Sequence, residues 1–256
     1  MKKGILTVAG VLLAAPALPA ADFNWSGRLA AGQTLEIKGV NGSIEASAGS
    51  GQAEVRAEKK ARRSDPDSVE IRVLEHAEGV TICAVYPTPS DAGRDNECVA
   101  GEGGRMSTRD NDVQVDFVVR VPDGVRFVPR TVNGSISASG LTGDVLARTV
   151  NGGIRLETAG RAEARTVNGS IDATIGRADW SGSHEFKTVN GAIRLGLPAD
   201  LSADVSARTV NGGIETDFPL TVKGRFSRRS LKGTIGAGGR GLELETVNGA
   251  IRLTRK

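Results

Sequence analysis

One short phrase recurs along this chain at a nearly regular interval. It appears first as Val40-Asn41-Gly42-Ser43-Ile44, then as Thr-Val-Asn-Gly-x-Ile beginning at Thr131, Thr149, Thr166, Thr188, Thr209 and Thr246. A degenerate copy, Ser230-Leu231-Lys232-Gly233-Thr234-Ile235, fills the gap between the last two. Asn133, Asn151, Asn168, Asn190 and Asn211 stand 18, 17, 22 and 21 residues apart. So short a period means one small supersecondary unit, copied and stacked on its neighbours to bury a shared core.

Two stacking schemes fit such a unit. Asn-Gly favours a tight turn because both residues tolerate positive φ. The pairs Asn133-Gly134, Asn151-Gly152, Asn168-Gly169, Asn190-Gly191, Asn211-Gly212 and Asn248-Gly249 are therefore the expected corners. In an antiparallel β meander each corner closes a hairpin, which would oppose Arg148 to Arg155 and Lys187 to Arg194. Directly opposed like charges are unfavourable. In a solenoid each unit is one coil, and the residue after each Ile forms a column: Arg155, Asp172, Arg194, Glu215, Gly236, Arg252. The signs in that order alternate, and the Asn amides can bond to one another along the stack. The expected fold is all-β: a β-solenoid, β-helix-like, of stacked Thr-Val-Asn-Gly-x-Ile coils with an N-terminal β segment. The meander is the alternative. Ile136, Ile154, Ile171, Ile193, Ile214, Ile235 and Ile251 should form one buried stack, continued by Leu156, Leu195 and Leu253.

The remaining sequence sets context. Lys2 and Lys3, an apolar run from Ile5 to Leu18, and small residues at Ala20 and Ala21 read as a secretory signal peptide over 1–21. No later segment is apolar for long enough to span a bilayer as a helix. Removing those two lysines leaves 31 basic against 30 acidic residues, which disfavours a globally cationic nucleic-acid binder. Residues 22–124 are expected to form the N-terminal β segment, holding the first repeat copy, and 125–256 the array proper. Within the N-terminal segment, 87–111 is rich in Pro, Gly, Ser and Asp and reads as a long surface loop. The only cysteines, Cys83 and Cys98, should pair in an oxidising compartment and tether that loop.

The repeated Thr-Val-Asn-Gly-(Gly/Ser/Ala)-Ile units behind a signal peptide resemble a bacterial β-strand-repeat family of “putative adhesins”, a domain of unknown function. The likeness covers roughly residues 33–256 and is weakest at 60–124. It implies an exported β-solenoid-like protein, periplasmic or at the cell surface, and brings no catalytic residues with it.

Catalysis has little to stand on in these residues. His76 and His184 occupy unrelated contexts without metal-ligand spacing, and no nucleophile elbow or phosphate loop appears. No catalytic residue, metal or cofactor is expected. Asp110, Asp112 and Asp116 cluster beside the loop; a solvated strand edge is the simpler account of them than weak Ca²⁺ binding. The sharper feature is the residue preceding each Thr-Val-Asn-Gly: Arg130, Arg148, Arg165, Lys187 and Arg208, then Arg229 before the degenerate copy, with Glu245 breaking the run. Stacked about 4.8 Å apart, these form a like-charge column. Either an anionic envelope polymer relieves it or neighbouring Asp and Glu residues do. The expected function is therefore a non-enzymatic envelope adhesin or scaffold binding an anionic polymer or surface protein. The alternatives are a polysaccharide-active enzyme using acids near 87–116, with Asp112 as its candidate acid, and a structural or regulatory component recruiting a protein partner through 87–111.

Overall fold

The computed structural model describes residues 23–180, 182–222 and 227–256; the signal peptide expected over 1–21 lies outside them. The described chain is all-β apart from one 3₁₀ turn at Pro66–Ser68. Its strands form two mixed sheets, and neither closes into a barrel. The ten-stranded sheet runs, in spatial order, Phe23–Gly27, Ala53–Lys60, Gln114–Pro122, Ile44–Gly49, Ile136–Leu141, Ile154–Thr158, Ile171–Ile175, Ile193–Leu197, Ile251–Arg255 and Ile214–Thr216. The eleven-stranded sheet runs Thr221–Val222, Ser230–Ile235, Ala203–Asn211, Gly241–Asn248, Ser183–Lys187, Ala162–Arg165, Val145–Arg148, Arg126–Arg130, Thr34–Lys38, Gly79–Val85 and Glu70–His76.

Every pairing in the interior of both sheets is parallel, and antiparallel pairs occur only toward the ends. That excludes the meander for the array, because a hairpin-closing corner would make neighbours antiparallel. The architecture is β-solenoid-like. Ile44, Ile136, Ile154, Ile171, Ile193, Ile251 and Ile214 follow one another in register. All but Ile214, in the terminal coil, are buried, as are Leu156, Leu195 and Leu253. Ile235, expected in this stack, is buried on the other sheet instead.

The corner shows why the phrase repeats. From Asn133 onward each corner Asn Nδ2 donates to the Asn Oδ1 of the adjoining coil, giving an unbroken ladder through Asn41, Asn133, Asn151, Asn168, Asn190, Asn248 and Asn211 at 2.7–2.9 Å. The Thr side chains are buried, and Thr149, Thr166 and Thr188 each donate to the corner Gly carbonyl of the neighbouring coil at 2.8–2.9 Å. The glycines serve close approach rather than positive φ. Among the Asn-Gly corners only Gly42 has positive φ, at 123°. A Cβ on Gly152 would instead lie 2.0 Å from the Gly134 carbonyl oxygen, and one on Gly169 2.0 Å from that of Gly152.

Spatial order departs from sequence order at both ends. Gly79–Val85 and Gln114–Pro122 stack outside the first repeat copy. At the other end the final copy, Gly241–Asn248 with Ile251–Arg255, slots between the coils of Asn190 and Asn211. The expected column order therefore fails: it runs Arg155, Asp172, Arg194, Arg252, Glu215, with two arginines adjacent. Asp172 pairs with Arg194 at 3.1 Å and Glu215 with Arg252 at 2.6 Å, relieving the contact from either side. The degenerate copy is no coil at all. Ser230–Ile235 lies antiparallel on Ala203–Asn211 and covers an edge that would otherwise offer unpaired backbone groups.

His184 is wholly buried, packs tilted against Trp180 at 4.2 Å between centroids, and accepts the Ala162 N–H on Nδ1 at 2.8 Å. Burial lowers its pKa to about 4.

Two predictions follow from this packing. Gly152→Ala should destabilise the protein by well over the ~1 kcal/mol of an ordinary glycine replacement, since backbone must move. Gly213→Ala, with nothing near its Cβ and no positive φ, should be close to neutral. Equal urea midpoints for the two variants would refute the close-stacking account. His184 is neutral when folded, whereas the unfolded chain protonates it near pH 6.5. Stability it contributes is thus complete above that pH and is lost as pH falls toward 4, by about 3 kcal/mol at most. Wild type should lose more thermal stability between pH 7.5 and 4.5 than His184→Leu does.

Candidate functional site

The parallel register gathers the expected basic residues into one outward row. Lys38, Arg130, Arg148, Arg165 and Lys187 are direct neighbours in successive strands. Lys38, from the first copy, escaped the sequence pattern because Gly39 stands there in place of the motif's Thr. The inserted last coil puts Glu245 next to Lys187, and Arg208 lies beyond it, set apart from the other five. At the opposite end the same row continues into Cys83 and then Arg72.

Two residues earlier on the same strands a second row faces the same way: Glu36, Val128, Leu146, Glu163, Glu185 and Glu243. Its carboxylates thread between the cations. Arg165 meets Glu163 at 3.3 Å and Glu185 at 2.7 Å, and Lys187 meets Glu185 at 3.0 Å and Glu243 at 3.2 Å. The hydrogen bond from Lys187 to Glu185 raises the lysine's pKa. These side chains are partly exposed, so each pair is worth roughly 1 kcal/mol or less. What the interleaving does is cancel the row's self-repulsion, the second of the two remedies expected from the sequence.

Val128 and Leu146 interrupt the acidic row, and there the long loop supplies the missing anion. Glu102 takes Arg130 Nη1 and Nη2 at 3.0 and 2.9 Å, and Arg148 Nη1 at 2.7 Å. The Arg130 hydrogen bonds lower the Glu102 pKa to about 2. Lys38 Nζ donates to the carbonyls of Val99, Gly101 and Gly103, while the Gly101 N–H donates to Glu36 Oε2 at 2.9 Å. Glu36 is buried, and Thr81 also donates to it at 3.0 Å. Burial lowers the Lys38 pKa. Cys83 and Cys98 pair as expected, with Cα atoms 5.7 Å apart, and fasten the loop to the row itself.

The acidic cluster expected beside the loop does not converge. Asp112 accepts backbone N–H groups of Arg62, Arg63 and Ser64, which lower its pKa to about 2. Asp116 accepts from Ser43 N and Oγ and faces Lys60, whereas Asp110 adopts positive φ at 53°. Among the described residues no three His, Cys, Asp or Glu side chains are grouped to hold a metal. Asp112 is a loop staple: its ionised form is the one these N–H groups bind, the opposite of a proton donor held neutral for use.

Glu102→Gln should leave global stability within about 1 kcal/mol of wild type, since its pairs are exposed. It should nonetheless speed tryptic cleavage after Arg105 severalfold at neutral pH. An unchanged cleavage rate would mean that the carboxylate does not hold the loop.

The structure is similar to that of a “putative cell adhesion protein” from Clostridium sporogenes, at 11% identity over 91% of this chain and 99% of that one, with a TM-score of 0.49. It is also similar to a “putative adhesin” from Bacteroides fragilis, at 8% identity over 91% of this chain and 96% of that one, with a TM-score of 0.36. No curated protein matches the sequence. Residues 99–254 match the model of one domain family, and with more than half of its length inside that match the chain belongs to the Toastrack DUF4097 family.

Proposed function

We propose that this protein is an exported, non-enzymatic binding scaffold of the bacterial envelope, with an adhesin-like role. Its stacked Thr-Val-Asn-Gly-x-Ile coils form a rigid support, and the disulfide-tethered 87–111 loop with the row beneath it is where a partner is met. The observation that carries this reading is Glu102. The two coils without a carboxylate of their own are the two whose arginines a loop residue neutralises. A loop of this length without regular structure inside a packed domain points to function. The names of the similar structures suggest an adhesin-like role, and a disulfide suits an oxidising compartment.

Binding of an anionic polymer along the whole row is the weaker version. Five cations, Lys38 to Lys187, face five carboxylates of Glu36, Glu102, Glu163, Glu185 and Glu243, so the row carries no surplus charge to attract one. Catalysis by Asp112 is opposed by its three backbone donors.

The test is binding of purified protein to isolated bacterial envelopes. Replacing residues 89–110 by a short Gly-Ser linker, with Cys83→Ser, should reduce binding at least tenfold. Arg165→Glu should change it less than twofold. Binding that survives loop replacement but collapses with Arg165→Glu and with salt would reverse the assignment in favour of the polymer.

A further inference from the structure

The contacts under the loop are those of peptide recognition rather than of charge pairing alone. Residues 99–103 are bound through their backbone as well as their carboxylate. Lys38 Nζ gathers three successive alternate carbonyls, those of Val99, Gly101 and Gly103. The Gly101 N–H donates to Oε2 of Glu36, whose side chain is only 3% exposed. Arg130 and Arg148 then clamp the one acidic side chain of the segment. A carboxylate held between two guanidinium groups is a geometry of recognition, with each fork fixing the oxygens' direction.

Glu36 decides the class of occupant. Buried, its Oε2 accepts an amide N–H, a donor that a phosphate or polyuronate does not carry. A ligand for this site therefore brings a backbone donor and an acidic side chain one residue apart, as Gly101-Glu102 does. If the segment leaves, Lys38, Arg130 and Arg148 remain against Glu36 and Glu163 alone, the latter shared with Arg165. The vacated site is cationic, and Glu36 Oε2 keeps the Thr81 donor but loses the amide N–H, so the site accepts a replacement of the same kind. The contacts holding the segment are individually weak and largely exposed. Its retention rests on tethering, since Cys98 lies four residues before Glu102 and is bonded to Cys83 in the same row. A tether of that length holds the segment at an effective concentration on the order of millimolar, enough to exclude a weak competitor.

We propose that Glu36, Lys38, Arg130 and Arg148 form a binding site for a glycine-containing acidic peptide segment of a partner protein, and that residues 99–103 are its built-in occupant. This rests on the reading that the loop region is where the partner binds, and it names the partner's chemistry.

The probe is a fluorescein-labelled synthetic peptide spanning residues 97–105, with serine in place of Cys98, read by fluorescence anisotropy. The opened protein carries Cys83→Ala, Cys98→Ala and Glu102→Ala. It should bind the peptide at least tenfold more tightly than wild type does. A glutamine replacing the peptide's Glu102, or Arg148→Ala in the opened protein, should each weaken binding at least tenfold. Inorganic polyphosphate at equal charge concentration should displace the peptide poorly. No binding by an opened protein whose thermal melt remains cooperative overturns the proposal, as does displacement by polyphosphate as effective as by unlabelled peptide. Should the triple variant fail to fold, Glu102→Gln alone keeps the test: hydrogen exchange at 99–103 should rise at least fivefold, and unchanged exchange overturns the proposal. Envelope binding that still depends on the loop while the peptide fails to bind would remove this inference and leave the proposed function intact.

Discussion

Close contact between coils at the Asn-Gly corner is the constraint on which the rest of the structure depends. Backbone approaches backbone so nearly that a Cβ at Gly134, Gly152, Gly169 or Gly191 would sit about 2 Å from the next carbonyl oxygen. With that approach secured, the Asn amides fall into bonding distance and form a continuous ladder. The Thr hydroxyls reach the Gly carbonyls, and the Ile side chains stack into the core. Each residue of the phrase thus has a separate duty, while the Val of the array copies points outward: Val132, Val150, Val167 and Val189 are exposed at 39–40%, and only Val40 of the first copy is buried. Their β-branching suits a strand-flanking position.

The same register that builds the core also lines up every surface residue with its copies. Where copies keep the same cation, stacking sets like charges side by side, as from Lys38 to Lys187. Here the penalty is removed by a second row of glutamates offset by two residues, which parity places on the same face. The hydrophobic breaks at Val128 and Leu146 stand where the loop lies, and Glu102 restores the missing charge there. Both apolar residues are buried although they point away from the central core cluster. Array and loop are complementary at that point, and the disulfide fixes the complement in place.

Parts of this were legible in residues alone. The period announced stacking, the two cysteines announced a bridge, and the preference for coils over hairpins followed from opposed like charges. The Asn ladder and Ile stack also came directly from the phrase. For Gly, turn propensity points to positive φ, whereas the array corners use glycine for its missing side chain. Coil order was misread because sequence carries no instruction about which coil a chain end will cover. The alternation of Arg155, Asp172, Arg194, Glu215 and Arg252 favours sequential stacking, yet the last coil inserts before the one holding Glu215. Lys38 was missed because its copy of the phrase lacks the Thr that marks the others.

By itself the sequence determined a repeating, turn-punctuated β chain, its corner and core positions, and the basic residue beside each corner. These are local properties, set by side-chain size, branching and period, and each copy carries its own statement of them. Tertiary structure alone decided the order of the coils, the antiparallel covers at their ends, and the placement of Glu102 between Arg130 and Arg148. Those outcomes depend on contacts across scores of residues, where the chain folds back to satisfy an open edge or an uncompensated charge. No local pattern records which distant segment will do so.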